Sequence, residues 1–301
     1  MTKFLKRTGL FICLWLFCIV AISMFLNYYV GSKAYFKLDN NIKSVVFGHS
    51  HPETAYNDSL IANFKNLAQS GESYFYTYLK AKKVLNQNPQ IKNVFIEFTN
   101  IDVTQIRDKE IWSDKYINWR YQNYSSLMDF QDWFLLASKN PKSITKTLAK
   151  TFKKQVSRIQ TKQYNYFPAT SGYLYIKESK LDSLLQTKIT KNNPDSDYYK
   201  ESVYNLLYLE KLVALCKEKK LTIYFVRSPL YKDSFYLSNN NLYTKVKNNK
   251  FPDIELLDLV NFQLINSEYR DLHHVNYKGA KKVSLFFNNW IKENTTLDFE
   301  H

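Results

Sequence analysis

The stretch Ser44-Val45-Val46-Phe47-Gly48-His49-Ser50-His51 changes character at its midpoint. Its first half is a short apolar run, ended by a glycine. That pattern predicts a strand buried on both faces, as in parallel sheets. Its second half is polar and sits where such a strand would leave the sheet. Two further runs repeat the first half: Asn93–Phe98, ending at Thr99-Asn100, and Leu221–Val226, followed by Arg227-Ser228-Pro229. Ile254–Leu259 is a fourth candidate. Between them, helical spacing runs over 73–86, with Tyr74, Tyr78, Ala81 and Leu85 three to four apart, and over 198–219. Strands alternating with helices predict an α/β domain with a mostly parallel sheet and helices on both faces. Ligand sites in such sheets lie beyond the carboxyl ends of the strands. Gly48–Ser50, Thr99–Asn100 and Arg227–Ser228 are therefore expected to converge.

Working outward, the amino terminus carries Lys3, Lys6 and Arg7 before an uncharged apolar run over residues 9–30. About 20 residues at 1.5 Å each cross a bilayer core of roughly 30 Å. The basic residues favour a cytoplasmic amino terminus, and Tyr28-Tyr29 suit the far interface. A cleaved signal peptide is the competing reading, but no A-x-A-like cleavage site follows the run. Residues 1–31 are thus read as tail and anchor, and 32–301 as one α/β domain. Residues 101–195 break the strand–helix rhythm and are read as a largely helical insertion.

The net charge of +15 points to an anionic surface such as phospholipid headgroups or an acidic glycan. Nucleic acid is not expected for a domain delivered across a membrane. Residues 139–162 carry eight Lys/Arg and no acid. Lys142, Lys146, Lys150 and Lys153/Lys154 fall on one helical face, and Ile144, Leu148, Phe152, Val156 and Ile159 on another. The expectation is a helix docking its apolar face on the protein core; resting on anionic lipid is the alternative. Cys216 is the one cysteine outside the apolar run, so no disulfide is expected within the domain.

The second chemical block is Asp271-Leu272-His273-His274-Val275-Asn276-Tyr277-Lys278-Gly279-Ala280, just before a helical pattern at 279–291. A serine hydroxyl is a weak nucleophile until a base takes its proton. Histidine titrates in the right range, and a carboxylate on its other nitrogen fixes the tautomer. Asp271 and His274, three apart in one loop, can supply that pair to Ser50.

These blocks together resemble the SGNH (GDSL-like) hydrolase superfamily, in its membrane-anchored envelope type. Ser50 matches the serine of the first block, Gly71 the glycine of the second, Asn100 the asparagine of the third, and Asp271 with His274 the last. The resemblance implies a three-layer α/β/α, flavodoxin-like fold, with Ser50 as nucleophile, His274 as base and Asp271 as its orienting acid. It further implies an oxyanion hole from the Ser50 and Gly71 N–H groups and the Asn100 side chain. His49 replaces the usual aspartate before the serine, and Phe98-Thr99-Asn100-Ile101 replaces the usual G-x-N-D. His51 is expected at the site mouth, either binding substrate or merely exposed, and His49 is a further substrate-binding candidate. No metal and no cofactor are expected. The implied activity is a serine esterase or O-acyltransferase acting on an acyl, chiefly acetyl, ester of an envelope glycan, beside a membrane-bound O-acyltransferase. The implied location is the cytoplasmic membrane, domain outward. The alternative is a catalytically inactive scaffold or glycan-binding partner, which predicts Ser50 and His274 too far apart to bond.

Overall fold

A computed structural model describes residues 2–187 and 196–295. The end of the expected insertion, 188–195, and the tail, 296–301, lie outside the described residues. In chain order the elements are α1 (Thr2–Lys33), β1 (Ser44–Phe47), α2 (Ser50–Ala55), β2 (Phe64–Asn66), α3 (Tyr74–Gln87) and β3 (Asn93–Glu97). A helical stretch follows: α4 (Gln105–Trp112), α5 (Asp114–Tyr124), α6 (Phe130–Lys139), α7 (Pro141–Thr161), α8 (Phe167–Thr170) and α9 (Leu181–Gln186). The rhythm then returns with α10 (Tyr204–Glu218), β4 (Thr222–Arg227), α11 (Asn240–Lys250), β5 (Glu255–Asp258) and α12 (Tyr277–Asn294). The chain divides into two compact units, Met1–Tyr35 with Trp112–Tyr166, and Phe36–Ile111 with Phe167–His301.

The second unit is built on a five-stranded sheet of order β2-β1-β3-β4-β5, parallel throughout. Strands β1 and β3 are buried throughout and β4 over its last four residues, whereas β5 at the sheet edge is only half-buried. On one face Val46, Phe95 and Tyr224 stand in register. They share a core with Ala280, Val283, Phe287 and Ile291 of α12. Each such side chain contributes about 1.5–3 kcal/mol by leaving water. On the next register row Phe225 stacks on Phe98 at 4.6 Å. Tyr243 and Phe251 close around that pair.

Two helix starts differ from the periodicity. The pattern at 198–219 becomes a helix only at Tyr204, because the Asp108 carboxylate accepts the N–H groups of Val203 (2.8 Å), Tyr204 (3.0 Å) and Asn205 (2.7 Å). A carboxylate there satisfies donors that lack intrahelical partners. The last helix begins at Tyr277, ahead of Gly279, because the Asn276 carboxamide accepts from the N–H groups of Lys278 and Gly279. Strand β2 was not legible at three residues, too short for any period.

In the first unit, α1 is long and apolar enough to cross a membrane. Asn27, near its end, accepts hydrogen bonds from Ser125 (2.9 Å) and from Gln155 of α7 (3.1 Å). Helix α7 corrects the sequence expectation. Of its apolar stripe only Ile144 is buried; Leu148, Val156 and Ile159 are half-buried, and Phe152 is exposed. The other buried positions are polar: Ser143, Thr147, Thr151, Gln155 and Arg158. Hydrogen bonds offset part of that burial, although the Thr151 hydroxyl makes none. The Thr147 hydroxyl donates to the Ser143 carbonyl, and Gln155 to Ser125 as well as Asn27. The Arg158 guanidinium lies over the Tyr166 ring at 4.0 Å.

Candidate functional site

The site is assembled at the carboxyl end of β1, which pairs with β2 on one side and β3 on the other. At β1's end, Gly48 adopts φ +154°. A Cβ there would meet the Glu97 Cβ at 2.5 Å and the Pro52 Cγ at 2.8 Å. Only glycine lets the chain pass over Glu97 and turn directly into α2. Ser50 is thereby the first residue of α2, with its N–H among the amides that lack an intrahelical acceptor. The Asn66 carboxamide donates to the carbonyls of Pro52 and Tyr56, fixing α2 against the neighbouring strand.

His274 comes from the loop before α12. The Tyr269↔Val275 bridge and a hydrogen bond from the Arg270 N–H to the His274 carbonyl (2.9 Å) close that loop into a tight turn. Its Nε2 lies 2.8 Å from Ser50 Oγ. Its Nδ1 lies 2.9 and 3.1 Å from the two oxygens of Asp271. Asp271 Oδ1 also accepts the N–H groups of His273 (2.8 Å) and His274 (3.0 Å). Burial pushes that carboxyl up, but the His274 hydrogen bond and charge and the His273 amide outweigh it, holding it at about 2. Asp271 is therefore an anion throughout the neutral range, and residues 224 positions apart meet as an acid–base–hydroxyl line.

A second imidazole–carboxylate pair stands beside the first. His49 Nε2 lies 3.2 Å from Asp102, both buried. Burial raises the Asp102 carboxyl, but His49, Arg107 and Thr99 together bring it down to about 2. Between the pairs lies His51, with ring centroids 4.4 Å from His49 and 5.5 Å from His274. Burial, then the His49, His274 and His273 imidazoles, hold His51 well below its ordinary value, so it is neutral. Its Nδ1 is buried without a hydrogen bond, 3.8 Å from Glu97. Glu97 is fully buried, and burial lifts its carboxyl to about 8 against the pull of the Ser228 N–H and hydroxyl, which donate at 2.9 and 2.7 Å. His273 turns to Ser234 (2.9 Å) and packs on Tyr236 at 4.3 Å. Burial, followed by opposing effects of Asp271 and His274, brings it to about 4.

His51 thus differs from the expectation of a site mouth: it is buried against Glu97, and His49 is buried in its own pair. Gly71 adopts φ +64° in a turn closed by the Glu72 N–H and the Gln69 carbonyl. That loop abuts Gly48, whose carbonyl accepts from the Gln69 N–H at 3.0 Å. Asn100 bonds to groups on two neighbouring elements. Its Nδ2 donates to Asn240 at 2.8 Å and its Oδ1 accepts from Arg227, in a fully buried position. One of its two Nδ2 donors is thus taken by Asn240. The strand ends do converge, but Arg227 serves Asn100 and Asp258, and Ser228 serves Glu97.

Glu97, Asp102 and Arg107 were missed by sequence reasoning. Glu97 had a visible signal, a carboxylate inside an otherwise apolar strand. Among the described residues, ligand atoms of His49, His51 and Glu97 lie within 4.8 Å of one another, a set of the type that holds zinc. His49 and Glu97 already have protein partners there.

A family model for a domain of unknown function matches residues 174–296. That span holds β4, β5, α12 and the Asp271–His274 loop, and stops short of Ser50. No curated protein matches the chain.

Proposed function

We propose that this chain is a membrane-anchored serine esterase or O-acyltransferase of SGNH-like, three-layer α/β/α architecture. The observation that carries the reading is the 2.8 Å contact between Ser50 Oγ and His274 Nε2, with Asp271 on the opposite ring nitrogen. It favours catalysis over an inactive scaffold, for which the two would stand apart. The strand order 2-1-3-4-5 is the flavodoxin-like order, whose switch point between β1 and β3 is where ligands bind. Ser50 follows β1 at that point.

The reaction follows from the geometry. Ser50 Oγ attacks the carbonyl carbon of an acyl ester while its proton passes to His274 Nε2. Asp271 stabilises the imidazolium without taking the proton. The N–H groups of Ser50 and Gly71 are the proposed donors to the developing oxyanion. Collapse breaks the ester bond, and the proton returns from His274 to the departing alkoxide. A second hydroxyl, from water or a sugar, then gives its proton to His274 and attacks the acyl carbon; the Ser50 Oγ–acyl bond breaks, and His274 returns the proton to Ser50 Oγ.

An anchor through residues 9–30, basic residues before it and a domain on the outer side of the cytoplasmic membrane suit a glycan acyl ester, chiefly acetyl, of the envelope. A membrane-bound O-acyltransferase would be the natural supplier of acyl groups. The test is turnover of a chromogenic acetyl ester, with and without a glycan acceptor, by the full chain and by Ser50→Ala. The reading requires the variant to be inactive. Turnover equal to the parent's would exclude it.

A further inference from the structure

Helix α7 is turned the wrong way for a helix docked on an apolar core. At 100° per residue, three stripes run along it. The buried stripe is Ser143, Thr147, Thr151, Gln155 and Arg158 with Ile144. Next to it runs Leu148, Phe152, Val156 and Ile159, half-buried to exposed. Beyond that runs Lys142, Lys146, Lys150 and Lys153, all exposed. The adjoining α6 repeats the exposure. Phe130 and Phe134, one turn apart with ring centroids 6.2 Å from each other, are 62% and 58% exposed. Phe130 also packs on Trp133 at 6.1 Å.

These helices belong to the unit that contains α1. Gln155 bonds to Asn27, and eight residues on in α1's direction Tyr35 bridges Asn165. The two segments therefore run in the same sense. The part of α7 before Gln155, with Phe152, Leu148 and the four lysines, lies on the side of Asn27 from which the apolar helix arrives.

We propose that α6 and the first half of α7 lie in the interface of an anionic phospholipid bilayer, as a second contact beside the α1 anchor. This rests on the reading of α1 as a membrane span. Phe130, Phe134 and Phe152 enter the acyl boundary, and the four lysines lay their stems along it and place their ammonium groups among lipid phosphates. The charge is complementary: residues 139–162 hold eight cations and no acid. A water-soluble partner surface would not call for polar side chains turned inward and phenylalanines turned outward beside an apolar helix.

The test uses the full chain reconstituted in phosphatidylcholine vesicles with or without 30% phosphatidylglycerol. Cys13 and Cys18 are replaced by Ala; Cys216 stays, since burial pushes its thiol up to about 12. An environment-sensitive fluorophore is placed through Phe134→Cys, Phe152→Cys, Ser59→Cys as an exposed control, or Cys18 retained as the α1 reporter. Nitroxide-bearing lipids are the quencher. The expected result is quenching at 134, 152 and 18 and none at 59, with the 134 and 152 signals at least twofold stronger in the anionic vesicles. Changing Lys142, Lys146, Lys150 and Lys153 to Glu should abolish that gain and leave the Cys18 signal unchanged. Quenching at 18 without quenching at 134 and 152 overturns the proposal and leaves the anchor standing. An unquenched Cys18 removes the anchor, and this contact with it. Shielding of 134 and 152 only after native membranes are added would identify a protein partner instead, and also overturns it.

Discussion

Two histidine–carboxylate pairs flank Ser50, and their difference is instructive. His274–Asp271 sits in a half-exposed loop and presents its free nitrogen to the serine hydroxyl at 2.8 Å. His49–Asp102 is buried, and Asp102 spends its second oxygen on Arg107 at 3.1 Å. The bond between acid and imidazole is similar in both. What separates them is the other ring nitrogen: His274 has a reactive hydroxyl there, while His49 accepts weakly from the His51 amide at 3.4 Å. The first pair is placed to move a proton, and the second holds the turn that carries Ser50.

The comparison can be broken by substitution. His274→Ala should lower ester turnover by about 10⁴-fold or more, since base and nucleophile act as a unit. Asp271→Asn should cost about 10³- to 10⁴-fold with little loss of stability, because the wrong tautomer then faces the serine. In the other pair, Asp102→Ala should act chiefly on folding. It strips buried His49 of its acceptor and leaves Arg107 only Glu110 and the Glu72 carbonyl, a loss of about 3–5 kcal/mol in chemical denaturation. Turnover per folded molecule should stay within about tenfold of the parent. A 10³-fold loss at full stability would make the pairs equivalent and sink the distinction.

Glu97 gives a smaller effect with a definite sign. Its folded-state value of about 8 lies above the ordinary 4.5. Between those values the folded chain keeps a proton that the unfolded chain releases, so stability falls as pH rises from about 4.5 to about 8 and levels off above. Glu97→Gln should flatten that decline when unfolding is compared at pH 5.5 and 8.5. An undiminished decline in the variant would locate its source elsewhere. Smallest of all, Asn100→Ala should change turnover less than about threefold, since its amide is tied to Asn240 and Arg227. A loss of 10²-fold or more, the scale of a missing oxyanion donor, would contradict that assignment.

The sheet was legible because parallel strands buried on both faces read as plain apolar runs; β1, β3 and β4 were visible in this way at 44–47, 93–97 and 222–227, and the half-buried β5 at 255–258 through the run Ile254–Leu259. β2 was not, because three residues carry no period. Ser50, Asp271 and His274 were legible because each sits at a marked end of an element. The fate of Asn100 was not, since it depends on Arg227 and Asn240, which sequence spacing does not connect to it. Nor was α7's orientation. Its apolar stripe is plain in the sequence, but whether a stripe faces protein or something else depends on what hydrogen-bonds the polar stripe beside it, here Asn27 and Ser125.

The most direct measurement is covalent labelling of the full chain by a fluorophosphonate, with the adduct located by peptide mass spectrometry. The account predicts one adduct on Ser50 in the parent and in His49→Ala, and its loss in His274→Ala. No adduct on Ser50 in the parent, or undiminished labelling without His274, would contradict it.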